Sequence, residues 1–180
     1  MKRLLITYST WAGATHAVAI KIGGLLNNKS YDVDIQKITN EIPIENYDGI
    51  IIGTSIHAGK TNKDFRNFIS FYQKSLILKP TDIFVVSANM INETDKNRQE
   101  TLEWIMKDLD RYNNFKPHSI GLFGGTYLTE GKDFENLNFF VRKMIKSMKK
   151  NLSENQINAD FIYNDSIKNW VNEISDKYIN

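Results

Sequence analysis

Residues 3–26 read RLLITYSTWAGATHAVAIKIGGLL, and the junction in the middle of this stretch decides the fold. Arg3–Tyr8 is a nearly continuous apolar run, as expected of a strand covered on both faces. It gives way to Ser9, Thr10, Trp11, Ala12, Gly13, Ala14 and Thr15, a loop rich in hydroxyls and small residues. Thr15 can cap a helix that carries Val18, Ile22, Leu25 and Leu26 at helical spacing, weakened by Gly23 and Gly24. A helix N-terminus offers unpaired N–H groups and the positive end of its dipole, so the junction favours an anion. Ser9, Thr10 and Thr15 add hydroxyls, and Gly13 lets the backbone approach closely. The loop holds no lysine, and the chain has neither a P-loop nor a G-x-G-x-x-G pattern. A phosphate monoester held by neutral donors fits better than a triphosphate or a dinucleotide. The plain alternative is a polar turn with a capping threonine.

The rest of the chain repeats the theme. Gly49–Thr54, Asp82–Ser87 and Ser119–Gly124 are further buried runs, while Tyr31–Ile38 alternates like a half-covered edge strand. Helical spacing joins Phe65, Phe68, Ile69 and Tyr72, then Leu102, Ile105, Met106, Leu109 and Tyr112. A last helix carries Ile167, Trp170, Val171, Ile174 and Tyr178, capped by Asp165 or Ser166. Strands alternating with helices predict an α/β fold with a doubly wound, five-stranded parallel sheet in the order 2-1-3-4-5. The 180 residues fit one domain, 1–180, with a helical insertion at about 126–164 between the fifth strand and the last helix. There is no cysteine, which excludes disulfides, thiolate metal sites and cysteine nucleophiles. With no apolar run near ~20 residues and no cleavable leader, a cytoplasmic protein is expected.

Ligands of such sheets sit beyond the carboxyl ends of the strands. Three more strand ends reach that rim: GTSIHAGK (Gly53–Lys60), SANM (Ser87–Met90) and GGTY (Gly124–Tyr127). Together they offer backbone polar groups and apolar walls, which suits a flat heteroaromatic ring. The pattern S-T-x-x-G-x-T before a helix resembles the phosphate loop of flavodoxin-like FMN proteins, and the other three segments fall where that family keeps its ring loops. Along almost its whole length the chain is most similar to the bacterial menaquinone-dependent protoporphyrinogen oxidase family. That resemblance implies FMN as cofactor, its phosphate on Ser9, Thr10, Gly13, Ala14 and Thr15, with Trp11 and Ala12 in the same loop. It also implies that Thr54, Ser55, Ile56, His57, Ser87, Ala88, Asn89 and Met90 lie along the ring, with Gly125, Thr126 and Tyr127 at its far edge.

Trp11 can shield the bound group or merely cover the adjacent helix. His16 falls in the first helical turn, as a phosphate contact or a solvated side chain. His57 is the candidate for proton transfer or quinone contact, against a simple exposed loop residue. His118 lies at the opposite end of the sheet. Three histidines so scattered make no metal-ligand spacing, and no metal is expected. The insertion contains DFENLNFFVRKMIKSMKK (133–150), in which Leu137, Phe140, Val141, Met144, Ile145 and Met148 share one helical arc. Arg142, Lys143, Lys146, Lys149 and Lys150 take the opposite arc, with Phe139 among them. A basic amphipathic helix 137–150 can brace the core or meet an anionic lipid surface, placing the protein peripherally on the inner face of the cell membrane. The segment after GGTY, LTEGKD, is more acidic than the resemblance leads one to expect. The implied activity is oxidation of protoporphyrinogen IX with electrons passed to a membrane quinone, and no nucleic-acid partner. A flavodoxin-type electron carrier, or an FMN reductase of another substrate, are the alternatives.

Overall fold

The computed structural model describes residues 1–39, 41–112, 114–125, 135, 139, 142–143, 146–147 and 165–179. Five parallel strands form the sheet: β1 (Arg3–Tyr8), β2 (Asp32–Lys37), β3 (Gly49–His57), β5 (Thr81–Ser87) and β6 (Ile120–Gly124). They lie in the order β2-β1-β3-β5-β6, the arrangement expected from the sequence. Helix α1 (Ala14–Asn27) and the last described helix, α4 (Asp165–Ile179), cover one face, where Leu4, Ile6, Ile51, Phe84 and Val86 meet Val18, Ile22, Trp170 and Ile174. Helices α2 (Lys63–Leu76) and α3 (Asp95–Leu109) cover the other, against Leu5, Ile50, Ile52, Ile83 and Val85. Alternate residues of each strand thus feed two separate cores, the physical origin of the continuous apolar runs. Among the described residues no helix is long and apolar enough to cross a membrane.

Three local details depart from the sequence reading. First, a sixth strand exists: β4 (Lys60–Thr61) folds back antiparallel on the end of β3, pairing His57 with Lys60. Ala58 and Gly59 make the turn with φ of 49° and 70°, the doubly left-handed geometry of a tight two-residue hairpin. Second, Thr15 is not the cap of α1. Gly13 holds that position at φ 90° with no side-chain cap bond, and Thr15 is buried one step inside the helix. Third, α3 is rotated relative to its apolar pattern: Leu102 and Met106 are exposed, while Thr101 and Asp108 turn inward with Ile105 and Leu109.

The two glycines that weaken α1 on paper differ in space. A Cβ on Gly23 would stand 2.4 Å from Ile35 Cδ1, so the missing side chain lets α1 lie close against the edge strand. A Cβ on Gly24 would meet nothing within 4 Å.

At the amino end of β5, away from the ligand rim, Asp82 is fully buried. Its Oδ2 accepts the Tyr178 hydroxyl at 2.5 Å, and Oδ1 has no partner among the described residues. Burial raises the Asp82 pKa above the ordinary carboxylate range, against the opposing pull of the Tyr178 hydrogen bond, Lys177 and His118. Burial and the facing carboxylate push Tyr178 well above the usual phenol range. A carboxyl whose pKa is raised by folding favours the fold while protonated and weakens it as pH rises through the folded-state pKa. Asp82→Asn removes that titration. Its melting temperature relative to the parent is therefore expected to improve as pH rises above the ordinary carboxylate pKa and to level off beyond the raised folded-state pKa, and a pH-independent difference would exclude an ionisation effect.

Candidate functional site

The carboxyl ends of β1, β3 and β5, with the residue after β6, enclose a cavity of about 580 Å³. Its floor is the loop that opened the sequence. Ser9 and Thr15 are buried, and neither hydroxyl has a partner among the described residues. Thr10 Oγ1 accepts the Gly13 N–H at 2.9 Å, which closes the turn and sets up the left-handed Gly13. With glycine as N-cap and no acidic residue in its first turn, α1 presents its terminal N–H groups without a side-chain acceptor. Buried hydroxyls left unpaired cost free energy; Thr15 lines the cavity from the first turn of α1, at its positive end, whereas Ser9 and Gly13 do not line it. The donor set fits a phosphate.

The second side of the cavity is the β3–β4 hairpin, which contributes Ser55, Ile56, His57, Ala58 and Gly59. Thr54 does not join them. It is fully buried, and its hydroxyl donates to Ser55 O and accepts the Asn62 N–H, both at 3.2 Å. Trp11 crosses from the first loop to stack on His57, with ring centroids 4.1 Å apart and planes inclined by 27°. The indole thus links two rim loops, a placement that neither reading of Trp11 anticipated. His16 lines no part of the cavity and stacks instead on the Tyr8 ring at 5.0 Å.

The third side follows β5. Val86, Ser87, Ala88 and Asn89 line the cavity, whereas Met90 turns away into the core beneath. Ser87 Oγ accepts the Asn89 N–H at 3.2 Å, and Asn89 Nδ2 reaches Asn97 O and Glu100 Oε2 on α3 at 3.2 and 3.1 Å. Gly125 completes the rim, its N–H donating to Ser87 O at 3.2 Å. A Cβ there would come within 2.3 Å of Val86 Cγ1. Thr126 and Tyr127 lie outside the described residues.

Four wall residues were not among those assigned to the site from sequence: Ala58, Gly59 and Val86, which adjoin the assigned segments, and Trp104, which lies far from them. Trp104 of α3 lines the cavity beside the Gly59 end of the hairpin. The rotation of α3 explains the omission, because the apolar periodicity singled out Leu102 and Met106 instead. A flat ring can lie in this slot, with an anionic tail at the α1 terminus.

The Flavodoxin domain family matches residues 5–158. The protoporphyrinogen IX dehydrogenase (quinone) of Leishmania major is 26% identical over 167 residues, covering 91% of this chain and 69% of that protein. The Escherichia coli K12 protein of the same name is 24% identical over 179 residues, covering 96% and 94%. Among solved structures, a Fusobacterium nucleatum flavodoxin bound to flavin mononucleotide superposes with a TM-score of 0.56 at 15% identity, covering 98% of this chain and 99% of its own. Oxidised flavodoxin 2 of Bacillus cereus gives 0.55 at 14% identity, covering 97% and 99%.

Proposed function

The chain belongs to the flavodoxin domain family, and from that premise we propose that it is an FMN-dependent oxidoreductase that takes electrons from protoporphyrinogen IX and passes them to a membrane quinone. The observation that carries the cofactor is the buried Thr15 hydroxyl, unpartnered among the described residues and lining the cavity at the uncapped start of α1, with a second such hydroxyl on Ser9 just after β1. FMN combines one phosphate monoester with a flat tricycle, and the cavity is in the size range of small-molecule sites. Ser9, Thr15 and the first N–H groups of α1 would hold the phosphate. Ser55–Gly59, Ser87–Asn89 and Gly125 would frame the ring. When bound, FMN supplies the electron-accepting chemistry, and the protein contributes position, polarity and exclusion of water. His57 is the only ionisable side chain among the described lining residues, so the imidazole is the group able to hold a proton at the rim.

The substrate reading rests on the names of the two relatives, which match over nearly the whole chain. The insertion adds support for an anionic contact. Phe139 is 65% exposed, and with Arg142, Lys143 and Lys146 it lines a separate cavity of about 470 Å³. Phe139 offers an apolar wedge among cations, suited to the headgroups of an anionic membrane where a quinone resides. Leu137, Phe140, Val141, Met144, Ile145, Met148, Lys149 and Lys150 lie outside the described residues. An electron carrier remains the competing function, since flavodoxins share the fold.

Anaerobic mixing of FMN-loaded protein with protoporphyrinogen IX separates the two. The flavin absorbance is expected to bleach, and to return when a quinone is added. A flavin that dithionite bleaches but protoporphyrinogen IX does not would favour the carrier. In the same preparation, Lys143→Glu with Lys146→Glu is expected to abolish salt-sensitive sedimentation with anionic vesicles and leave FMN affinity intact. Undiminished sedimentation would make the basic segment a brace.

A further inference from the structure

Trp104 and Asp108 stand one turn apart on α3, and so share one face of the helix. That face lies against the β3–β4 hairpin, where Gly59 and Thr61 are alternate residues. Trp104 meets Gly59: a Cβ there would stand 3.2 Å from the indole Nε1. Asp108 meets Thr61. Its Oδ2 accepts the Thr61 hydroxyl at 2.5 Å and the Thr61 N–H at 3.2 Å. Arg66 Nη1 donates to the Thr61 carbonyl and lies 3.8 Å from Asp108 Oδ2, and Arg111 Nη2 lies 3.4 Å from Oδ1. Asp108 is only 5% exposed, so this is a carboxylate held inside the protein by two guanidinium groups and one threonine. Buried charges persist only where such partners exist.

The same helix face reaches the neighbouring rim loop. Asn89 Nδ2 donates to Asn97 O, and Thr101, buried beneath, donates its own hydroxyl to the same carbonyl at 2.7 Å. Residues 97, 101, 104 and 108 therefore form a stripe that fastens two of the cavity's walls. Besides this face, the hairpin is held by the Trp11 stack on His57, the Asn62 N–H bond to Thr54 Oγ1 and the Arg66 bond to the Thr61 carbonyl. It is two residues wide, and its turn residues Ala58 and Gly59 are in left-handed backbone.

We propose that Asp108 is a positioning residue for the ring site, clamping the hairpin through Thr61 so that His57–Gly59 and the indole of Trp104 form one fixed wall. This rests on the FMN reading above. It differs from the phosphate loop in what it governs: Asp108 acts on ring binding, and Ser9 and Thr15 act on phosphate binding. Riboflavin, which has the ring and no phosphate, separates the two.

The test compares Asp108→Ala, the volume-conserving Asp108→Asn and Trp104→Phe with the parent protein. In the flavin-free protein, Asp108→Ala is expected to speed hydrogen exchange of the Thr61 amide. It should weaken riboflavin and FMN by the same factor, about tenfold, the scale of losing hydrogen bonds to a charged acceptor. Asp108→Asn keeps an acceptor for Thr61 and should recover part of that loss. The visible flavin spectrum should shift in Asp108→Ala, because the wall beside the ring moves. Trp104→Phe should remove a distinct share of the tryptophan quenching seen on FMN addition, while Trp170, packed on Phe123 in the core, should not. If the parent takes up flavin and Asp108→Ala binds riboflavin with unchanged affinity and spectrum, the positioning role is overturned alone. If Asp108→Ala weakens FMN but not riboflavin, it is also overturned, since the effect then runs through the phosphate. If the parent takes up neither flavin, the functional reading fails and the proposal with it.

Discussion

Ser9→Ala combined with Thr15→Val is expected to stabilise the FMN-free protein and to weaken its FMN binding at the same time. The two effects have opposite signs because the same hydroxyls cause both. Each is buried without a partner among the described residues, and an unpaired buried hydroxyl costs about 1–3 kcal/mol. Thr15→Val keeps the side-chain shape and Ser9→Ala removes a single oxygen, so little packing is lost. Neither change deletes a helix cap, since Gly13 occupies that position. In this size class ~1 kcal/mol corresponds to a melting shift of about 2–4 °C, so the gain is measurable. With FMN the ledger reverses. A hydrogen bond to a charged group contributes about 1.5–3 kcal/mol, so losing two should cost about a hundredfold in affinity or more. Riboflavin should bind the variant as it binds the parent. The measurements are melting curves without flavin and titrations with each flavin. A variant that melts lower and binds FMN normally would make both hydroxyls structural, and the phosphate site would have to be sought elsewhere.

The asymmetry between what the chain declares and what it hides follows from the kinds of force involved. The strands were legible because burial on both faces writes continuous apolar runs, and Arg3–Tyr8 begins and ends where the sequence says. The sheet order was legible because only Tyr31–Ile38 alternates, which marks it as an edge. Helix α4 was legible because Ile167, Trp170, Val171, Ile174 and Tyr178 are all buried. The hairpin was not, because a two-residue strand carries no period, and Ala58 gives no warning of a positive φ. Nor was the face of α3. Periodicity counts only apolar side chains, and here a charged residue, Asp108, is turned inward by partners from another element. That substitution of polar pairing for hydrophobic burial rotated the helix and brought Trp104 to the cavity. The role of Thr15 was misjudged for a related reason. Sequence sees a threonine before a helix and reads a cap; the structure has its hydroxyl buried with no partner among the described residues.

Gly125→Ala is expected to lower both stability and FMN affinity, and the reason lies in a single methyl group. The added Cβ would come within 2.3 Å of Val86 Cγ1 and 3.5 Å of the Ala14 Cβ. Val86 is 3% exposed and packed in the α1–α4 core, so it cannot swing aside freely. Ala14 begins α1 at the proposed phosphate site. The strain must therefore be relieved by moving the chain after β6 outward, which stretches the Gly125 N–H bond to Ser87 O and opens that side of the cavity. Overpacking of this kind costs about 1–3 kcal/mol. The loss should appear in riboflavin and FMN binding alike, at about tenfold, because the ring edge is disturbed and the phosphate loop is not. Gly24→Ala provides the matched control on α1. Its Cβ meets nothing within 4 Å, so replacing a mid-helix glycine should raise stability by about 1 kcal/mol and leave flavin binding alone. Titration and melting of the two variants side by side decide the matter. If Gly125→Ala binds both flavins like the parent, the end of β6 forms no part of the ring site, and the cavity's working walls are those of the first loop, the hairpin and the turn after β5.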